Sequence, residues 1–259
     1  MIQVVDVTQH YGIRPVLRKI NLTVPAGSLA AVIGPNGMGK TTLLAVLAGV
    51  LTPQHGYVEI DGLRRKSSVE TELAIRRRVV YLPDRPWLPV NRTGREFLLG
   101  VGRLYDIPIE RLIDHAERLL QLFELARQGD SPIRTYSSGQ QKKIALCGAL
   151  VTEAKVLLLD EPFSGGLDPS GILALKHLLR WLSRDEGGTI LMTTPVPELV
   201  DELADRFVIL RDGQIAVQGS LVELQRQTEC SGPLSEVVER LISPETLKNL
   251  DVYFEGWSA

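Results

Sequence analysis

The run from Gly34 to Thr42, Gly-Pro-Asn-Gly-Met-Gly-Lys-Thr-Thr, fills every position of the phosphate-cradling pattern in which glycines precede a lysine and a hydroxyl residue. The glycines let successive backbone N–H groups turn inward toward phosphate oxygens, and Lys40 sets a point charge near the outer phosphates. Thr41 offers its hydroxyl to a magnesium ion. Asn36, Gly37, Gly39, Lys40, Thr41 and Thr42 are therefore the expected nucleotide contacts of this loop. A second chemical element is Val156 to Pro162, where an apolar run ends abruptly in Asp160 and Glu161. At the carboxyl end of a parallel strand, such acids project into the crevice where open α/β sheets bind ligands. Asp160 can help to hold magnesium, and Glu161 can polarise a water for attack on the terminal phosphate. An innocent glycine turn and a pair of solvated acids are the bland alternatives, but each motif supplies what the other requires.

A phosphate loop needs a strand to deliver it and a helix to follow it. Leu29 to Ile33 is a short apolar run with strand character, and Leu43, Leu44, Val46 and Leu47 begin a helix. Upstream, Ile2 to Val7 and Ile20 to Val24 alternate on either side of a turn-rich stretch around Gly12, and residues 56–62 form another alternating strand between glycines. These predict a small antiparallel sheet. Val79 to Leu82 reads as a buried strand, after which Pro83, Pro86 and Pro89 break the pattern around Trp87. From Arg95 to about Leu125 the apolar spacing is helical, with one break at Ile107-Pro108, and it resumes over Ile144 to Leu150. A helix over Ile172 to Trp181 and strands over Thr189 to Thr193 and Arg206 to Leu210 complete an alternating pattern. That pattern predicts a largely parallel sheet covered by helices. Beyond Ser220, a polar loop over Gln225 to Gly232 leads to a helical segment with Leu234, Val237, Val238 and Leu241, and then to Leu250 to Phe254. A small appended element packed on the core is the plain reading there, and a dimer or permease contact is the sharper one.

The chain has 259 residues, 44% hydrophobic and 23% charged, enough for a substantial core and one large or two interlocked domains. A net charge of -2 supplies no basic field for nucleic acid, and a short cluster such as Arg76-Arg77-Arg78 is accounted for by a solvated helix end. No nucleic-acid partner is therefore expected. No apolar run approaches the roughly 18 residues of a spanning helix, and the N-terminus shows no signal-peptide pattern, so a cytoplasmic location is expected. Cys147 and Cys230 lack metal-ligand spacing and read as simple thiols.

A third element, Tyr136-Ser137-Ser138-Gly139-Gln140-Gln141-Lys142-Lys143, would alone look like a polar helix start capped by Ser137 or Ser138. Taken with the other two, it resembles the signature motif of ATP-binding-cassette (ABC) proteins, usually Leu-Ser-Gly-Gly-Gln. The resemblance covers nearly the whole chain, with Tyr11 at the place of an adenine-stacking aromatic and Gly166-Leu167-Asp168 at the place of the D-loop. It implies a P-loop nucleotide-hydrolase core of α/β class, with an N-terminal antiparallel subdomain and an inserted helical subdomain. The corresponding divisions are residues 1–85 with 151–219 for the core, 86–150 for the helical part with the signature, and 220–259 for the appended element. It also implies ATP and Mg2+ as ligands, and head-to-tail pairing with a second cassette. In that arrangement Ser137, Ser138, Gly139 and Gln140 meet the partner's ATP, Asp168 lies in the shared site, and a helix N-terminus is suited to an anion. A separate membrane permease would dock on the helical insert and the proline-rich loop near Trp87, holding the protein at the cytoplasmic face. The run Tyr-Leu-Pro-Asp-Arg-Pro-Trp-Leu-Pro is similar to exporter-type cassettes.

Three departures from the family pattern bear on turnover. Ser138 replaces the first signature glycine but keeps a small hydroxyl donor. Asp84 aligns with a glutamine that reaches magnesium and the attacking water; as a carboxylate it can bind the metal but cannot donate an amide hydrogen bond. Pro195 stands where the family has a histidine on the terminal phosphate. The reading that follows is the ATPase subunit of a transporter, with Glu161, Lys40 and Asp84 catalytic and Thr41, Asp160 and Asp84 on the metal. A slow or non-hydrolytic regulatory ATP-binding module and an ATP-driven clamp on nucleic acid are the alternatives from other classes.

Overall fold

A computed structural model describes residues 1–242, 249 and 252–254. The first sheet has strand order β2-β1-β4-β5, with β1 at Ile2–His10, β2 at Pro15–Val24, β4 at His55–Ile60 and β5 at Leu63–Arg64. Strands β1 and β2 pair antiparallel, as do β1 and β4, so the predicted hairpin structure forms. Strand β2 starts earlier than its apolar alternation suggests. The register shifts between Val4 and Val7, and within that interval Asp6 takes φ 48°. Asn21 accepts from the Asp6 N–H at 3.0 Å and donates to its carboxylate at 2.9 Å, satisfying polar groups that the irregular ladder leaves over.

The second sheet has order β10-β9-β3-β8-β7-β6. Strands β3 (Leu29–Ile33), β6 (Val79–Leu82), β7 (Val156–Leu159), β8 (Thr189–Thr194) and β9 (Arg206–Arg211) are mutually parallel, and β10 (Gln214–Gly219) closes the edge antiparallel to β9. Strands β3, β7 and β8 are buried along their whole length, as continuous apolar runs between two helical layers must be. Because Leu159 lies opposite Met192 and Leu82 opposite Leu159, the residues that follow these three strands emerge side by side at one edge of the sheet.

Helix α1 (Lys40–Leu47) follows β3, and α2 (Val69–Arg76) precedes β6. Between β6 and β7 lie α3 (Gly94–Leu104), α4 (Ile109–Leu122) and α5 (Ser138–Leu150), with α3 and α4 separated at the expected Ile107-Pro108 break. Helix α5 is buried from Lys142 to Leu150 because it packs between α3, α4 and β6. The Tyr105 hydroxyl donates to the Val79 carbonyl at 2.9 Å and ties the end of α3 to the sheet. Helix α6 (Pro169–Arg184) returns the chain to β8, with Asp168 as its N-cap.

Strand β10 has no counterpart in the sequence reading, and of helix α2 only the solvated end at Arg76 was read. Only Ile75 of α2 is buried, so no apolar stripe announces it, although Ser68 caps it through the Thr71 N–H. Strand β10 follows a tight turn in which Asp212 and Gly213 both have positive φ, a conformation that an Asp-Gly pair favours. One expectation is corrected: Gln225 to Thr228 are not loop but the second half of α7 (Leu221–Thr228), begun by a reciprocal capping box between Ser220 and Glu223. Helix α8 (Leu234–Ile242) buries Leu234, Val237 and Val238 in the same core as β7 and β8, so this part of the appended segment packs on the core. Leu250 and Asp251 lie outside the described residues.

Trp87 is 85% exposed, so it is no buried loop anchor. Trp87→Ala should leave the thermal midpoint of the isolated subunit within the range of an ordinary surface change, about ±0.5 kcal/mol. Leu234→Ala should instead cost about 2–5 kcal/mol in a denaturant titration if α8 is part of the cooperative core. A separate early transition for α8 would show that it folds independently.

Candidate nucleotide site

The phosphate loop joins β3 to α1 under tight packing. A Cβ at Gly34 would lie 2.5 Å from the Leu210 carbonyl oxygen, and one at Gly39 would lie 3.0 Å from the Val16 carbonyl oxygen. Gly37 and Gly39 also take φ 82° and 99°. No other residue type meets both demands at Gly39. The N-cap of α1 makes no side-chain hydrogen bond, so the first N–H groups of the helix stay available to an anion. Lys40 is 4% exposed, and its ammonium donates to the carbonyls of Gly34 at 2.8 Å and Pro35 at 3.1 Å, with the Asn36 side-chain oxygen at 3.5 Å. Glu161 Oε1 lies 3.8 Å away. Burial lowers the Lys40 pKa, while Glu161 and Asp160 work in the opposite direction. Thr41 is exposed and Thr42 is buried beneath the loop.

Asp160 and Glu161 emerge from β7 beside the end of β8. Asp160 is fully buried; its Oδ1 accepts from the Thr193 hydroxyl at 2.5 Å, and its Oδ2 has no hydrogen-bond partner among the described residues. A buried carboxylate oxygen without a donor is costly, and a cation relieves that cost. Asp160 together with the exposed Thr41 hydroxyl therefore fits an oxygen-coordinated Mg2+. The same Thr193 hydroxyl accepts from the Glu161 N–H at 3.0 Å. Glu161 adopts φ 46°, a left-handed conformation that a non-glycine residue holds only when its surroundings fix it. Here its carbonyl accepts from Lys142 Nζ at 3.0 Å and from Ser164 Oγ at 2.8 Å. Ser164 Oγ also reaches Asp84 Oδ1 at 2.9 Å. Lys40, Asp160, Glu161 and Asp84 are thus brought together. Burial raises the pKa of Tyr81, and the charges of Asp160, Tyr11 and Asp84 add to the effect. Tyr11 itself is 59% exposed, as a base-stacking surface requires.

The residues Ser137 to Gln140 form a second group. Ser137 is the N-cap of α5; it accepts from the Gln140 N–H at 3.3 Å and donates its own N–H to the Gln140 side chain at 2.9 Å. A Cβ at Gly139 would sit 2.6 Å from the Gly166 carbonyl oxygen, so the signature turn and the Gly166-Leu167-Asp168 loop lie in contact. Lys143 donates to Asp168 at 2.8 Å, and this bond, with the Gly171 N–H, holds the Asp168 carboxyl below its usual range. Among the described residues no hydrogen bond links Ser137 to Gln140 with the phosphate loop. Pro195 follows β8 exposed, and Thr194 turns its hydroxyl onto the Val196 N–H at 3.0 Å.

Three contributors to the site were not read from the sequence: Thr193, Lys142 and Ser164. For Thr193 a signal exists, since Thr189 to Thr194 is an apolar strand ending in a polar pair, just as Val156 to Leu159 ends in acids. Lys142 and Ser164 act from other segments, and only their spatial neighbours reveal them.

A buried parallel sheet with a phosphate loop after one strand, and paired carboxylates two strands away, defines a P-loop nucleotide triphosphatase. The sequence profile of the family described as "ABC transporter" matches residues 17–164. The daunorubicin resistance ATP-binding protein DrrA3 of Streptomyces coeruleorubidus is 36% identical over 220 residues, spanning 85% of this chain and 68% of that protein. The Nod factor export ATP-binding protein I of Rhizobium meliloti is 33% identical over 218 residues, spanning 84% of this chain and 64% of that protein. A solved ATP-binding subunit of an ABC transporter superposes with TM-score 0.86 at 29% identity, covering 93% of this chain and 99% of that one. The cassette MJ0796, solved as a dimer bound to ADP and Pi after hydrolysis, superposes with TM-score 0.77 at 26% identity, covering 85% of this chain and 99% of that one. The chain belongs to the ABC transporter family, and it is the ATP-binding and ATP-hydrolysing subunit of such a transporter. Subunits of this kind dimerise and work with membrane permeases. Among the described residues no helix is long and apolar enough to cross a membrane.

Thr193→Val removes the shared hydroxyl at constant shape, leaving the buried Asp160 oxygens and the Glu161 N–H without it. A loss of about 1–3 kcal/mol in chemical denaturation is expected, with a fall in kcat that exceeds any change in ATP affinity. Retention of both stability and kcat would show that Thr193 is a bystander.

Proposed function

We propose that ATP is hydrolysed by in-line attack of water on the terminal phosphate, in a site shared by two cassettes. The observation that carries this reading is the buried, donor-free Oδ2 of Asp160, set beside Glu161 and Lys40 at the mouth of the phosphate loop. Lys40 releases its loop carbonyls to bind the outer phosphates, which gives the ammonium a charged acceptor in place of two neutral ones. Loop amides from Asn36 to Thr42 hold the remaining phosphate oxygens, and Tyr11 stacks on the base. Magnesium, held by Thr41, Asp160 and Asp84, would supply positive charge to those oxygens when bound. Glu161 takes a proton from the water as the new P–O bond forms and the bond to ADP breaks. Ser137, Ser138, Gly139, Gln140 and Asp168 complete the site of the partner cassette across the dimer interface.

The permease docks on α3, α4 and the exposed Trp87 loop at the cytoplasmic face of the membrane. Relatives named for daunorubicin resistance and Nod factor export support an exporter reading. The second reading, a slow ATP-dependent switch, is favoured by Pro195. One hydrogen-bond donor aimed at developing charge is worth about 3 kcal/mol, roughly a hundredfold in rate, and proline supplies none.

Glu161→Gln should abolish steady-state hydrolysis, retain ATP binding and stabilise an ATP-bound dimer in light scattering. Turnover within about twofold of the parent would remove Glu161 from the role of base. Pro195→His, compared with Pro195→Ala, should accelerate basal hydrolysis where alanine does not. A fast parent would show that another residue already serves the terminal phosphate.

A further inference from the structure

Lys142 lies in the second turn of α5, four residues after Ser138 and so on the same face of the helix. It is 4% exposed, yet it makes no ion pair within 4 Å among the described residues. Its ammonium instead reaches two backbone carbonyls from separate segments: Glu161 at 3.0 Å and, at a longer 3.5 Å, Asp84. The first fixes the strained left-handed turn that aims the hydrolytic carboxylate. The second is the residue that leads from the sheet into the helical insert. Ser164 closes the ring, reaching both the Glu161 carbonyl and the Asp84 carboxylate. A Cβ at Gly165 would stand 3.5 Å from Lys142 Cδ, so the aliphatic stem runs beneath the loop leading to Asp168. Around this ammonium lie Asp84, Asp160 and Glu161, three acids whose mutual repulsion it offsets.

We propose that Lys142 is a positioning residue that ties the signature helix to the base of its own chain, so that the state of one ATP site is felt at the other. This rests on the reading that Ser137 to Gln140 face the ATP of the partner cassette. When those residues engage that ATP, any displacement of α5 moves Lys142, and Lys142 moves Glu161 and Asp84. The link is short, one helical turn and one side chain. It needs no rearrangement of the sheet. A buried cation hydrogen-bonded to carbonyls is apt for this, because its bonds are charge-assisted and directional while its stem stays packed.

Lys142→Met keeps the length of the stem and removes the ammonium; Lys142→Arg keeps the charge and the donors. For Lys142→Met the expected result is a kcat lower by about ten- to a hundredfold, with a lowered thermal midpoint, since buried carbonyls lose their donor, but ATP affinity close to the parent. The Hill coefficient for ATP should fall from about 2 toward about 1. Lys142→Arg should retain more kcat than Lys142→Met. The inference is overturned by an unchanged kcat and Hill coefficient, by kcat, affinity and midpoint falling together, or by an arginine variant no better than methionine. ATP-dependent dimerisation of Glu161→Gln is measured alongside. If that dimer fails to form, the shared-site reading has failed; if it forms and Lys142→Met behaves as the parent, only the role of Lys142 has.

Discussion

The structure depends on burying charge at the carboxyl edge of a parallel sheet before any ligand arrives. Lys40 and Asp160 are both almost wholly withdrawn from solvent, and Asp160 holds one oxygen with no donor among the described residues. Desolvating such groups costs several kcal/mol each unless partners replace the lost water. Lys40 finds partial replacement in two loop carbonyls and a distant carboxylate, and Asp160 finds it in one threonine hydroxyl. Neither is fully satisfied. A phosphate polyanion such as ATP meets the deficit at Lys40, and the proposed magnesium would meet the one at Asp160.

That arrangement demands strain elsewhere in the backbone. Glu161 takes a left-handed conformation, and it is held there from three sides by Thr193, Lys142 and Ser164. The glycines of the phosphate loop serve the opposite need: they remove Cβ atoms where neighbouring carbonyls approach. One set of residues over-determines the turn at Glu161, the other leaves the loop backbone room to close.

In the coupling proposed above, the helical insert makes the site responsive. Helix α5 joins the insert to the sheet, and its first turn carries the signature residues while its second carries Lys142 and Lys143. Lys143 holds Asp168, the cap of α6, and Lys142 holds the turn of Glu161. One helix therefore touches both the loop that carries Asp168 and the turn that carries Glu161, whereas α3 and α4 present exposed Leu104, Ile109 and Ile113 outward.

The sequence by itself determined the parts whose signals are local. The phosphate loop and the acidic strand end were legible because each packs its chemistry into consecutive residues, the signature turn only through the family resemblance, and the buried strands because they are short continuous apolar runs between breakers. Departures such as Asp84 and Pro195 were legible for the same reason. The span of helix α2 escaped, though its basic end did not, because it buries a single side chain, and the second half of α7 was mistaken for loop because its polar face hid a capped helix. The tertiary structure alone decided how the pieces meet. Only the register of β7 against β8 sets Thr193 beside Asp160, and only the packing of α5 against β6 brings Lys142 to Asp84 and Glu161. Those contacts join residues 33, 58 and 19 positions apart in the chain, and each depends on hydrogen-bond geometry that no local spacing encodes.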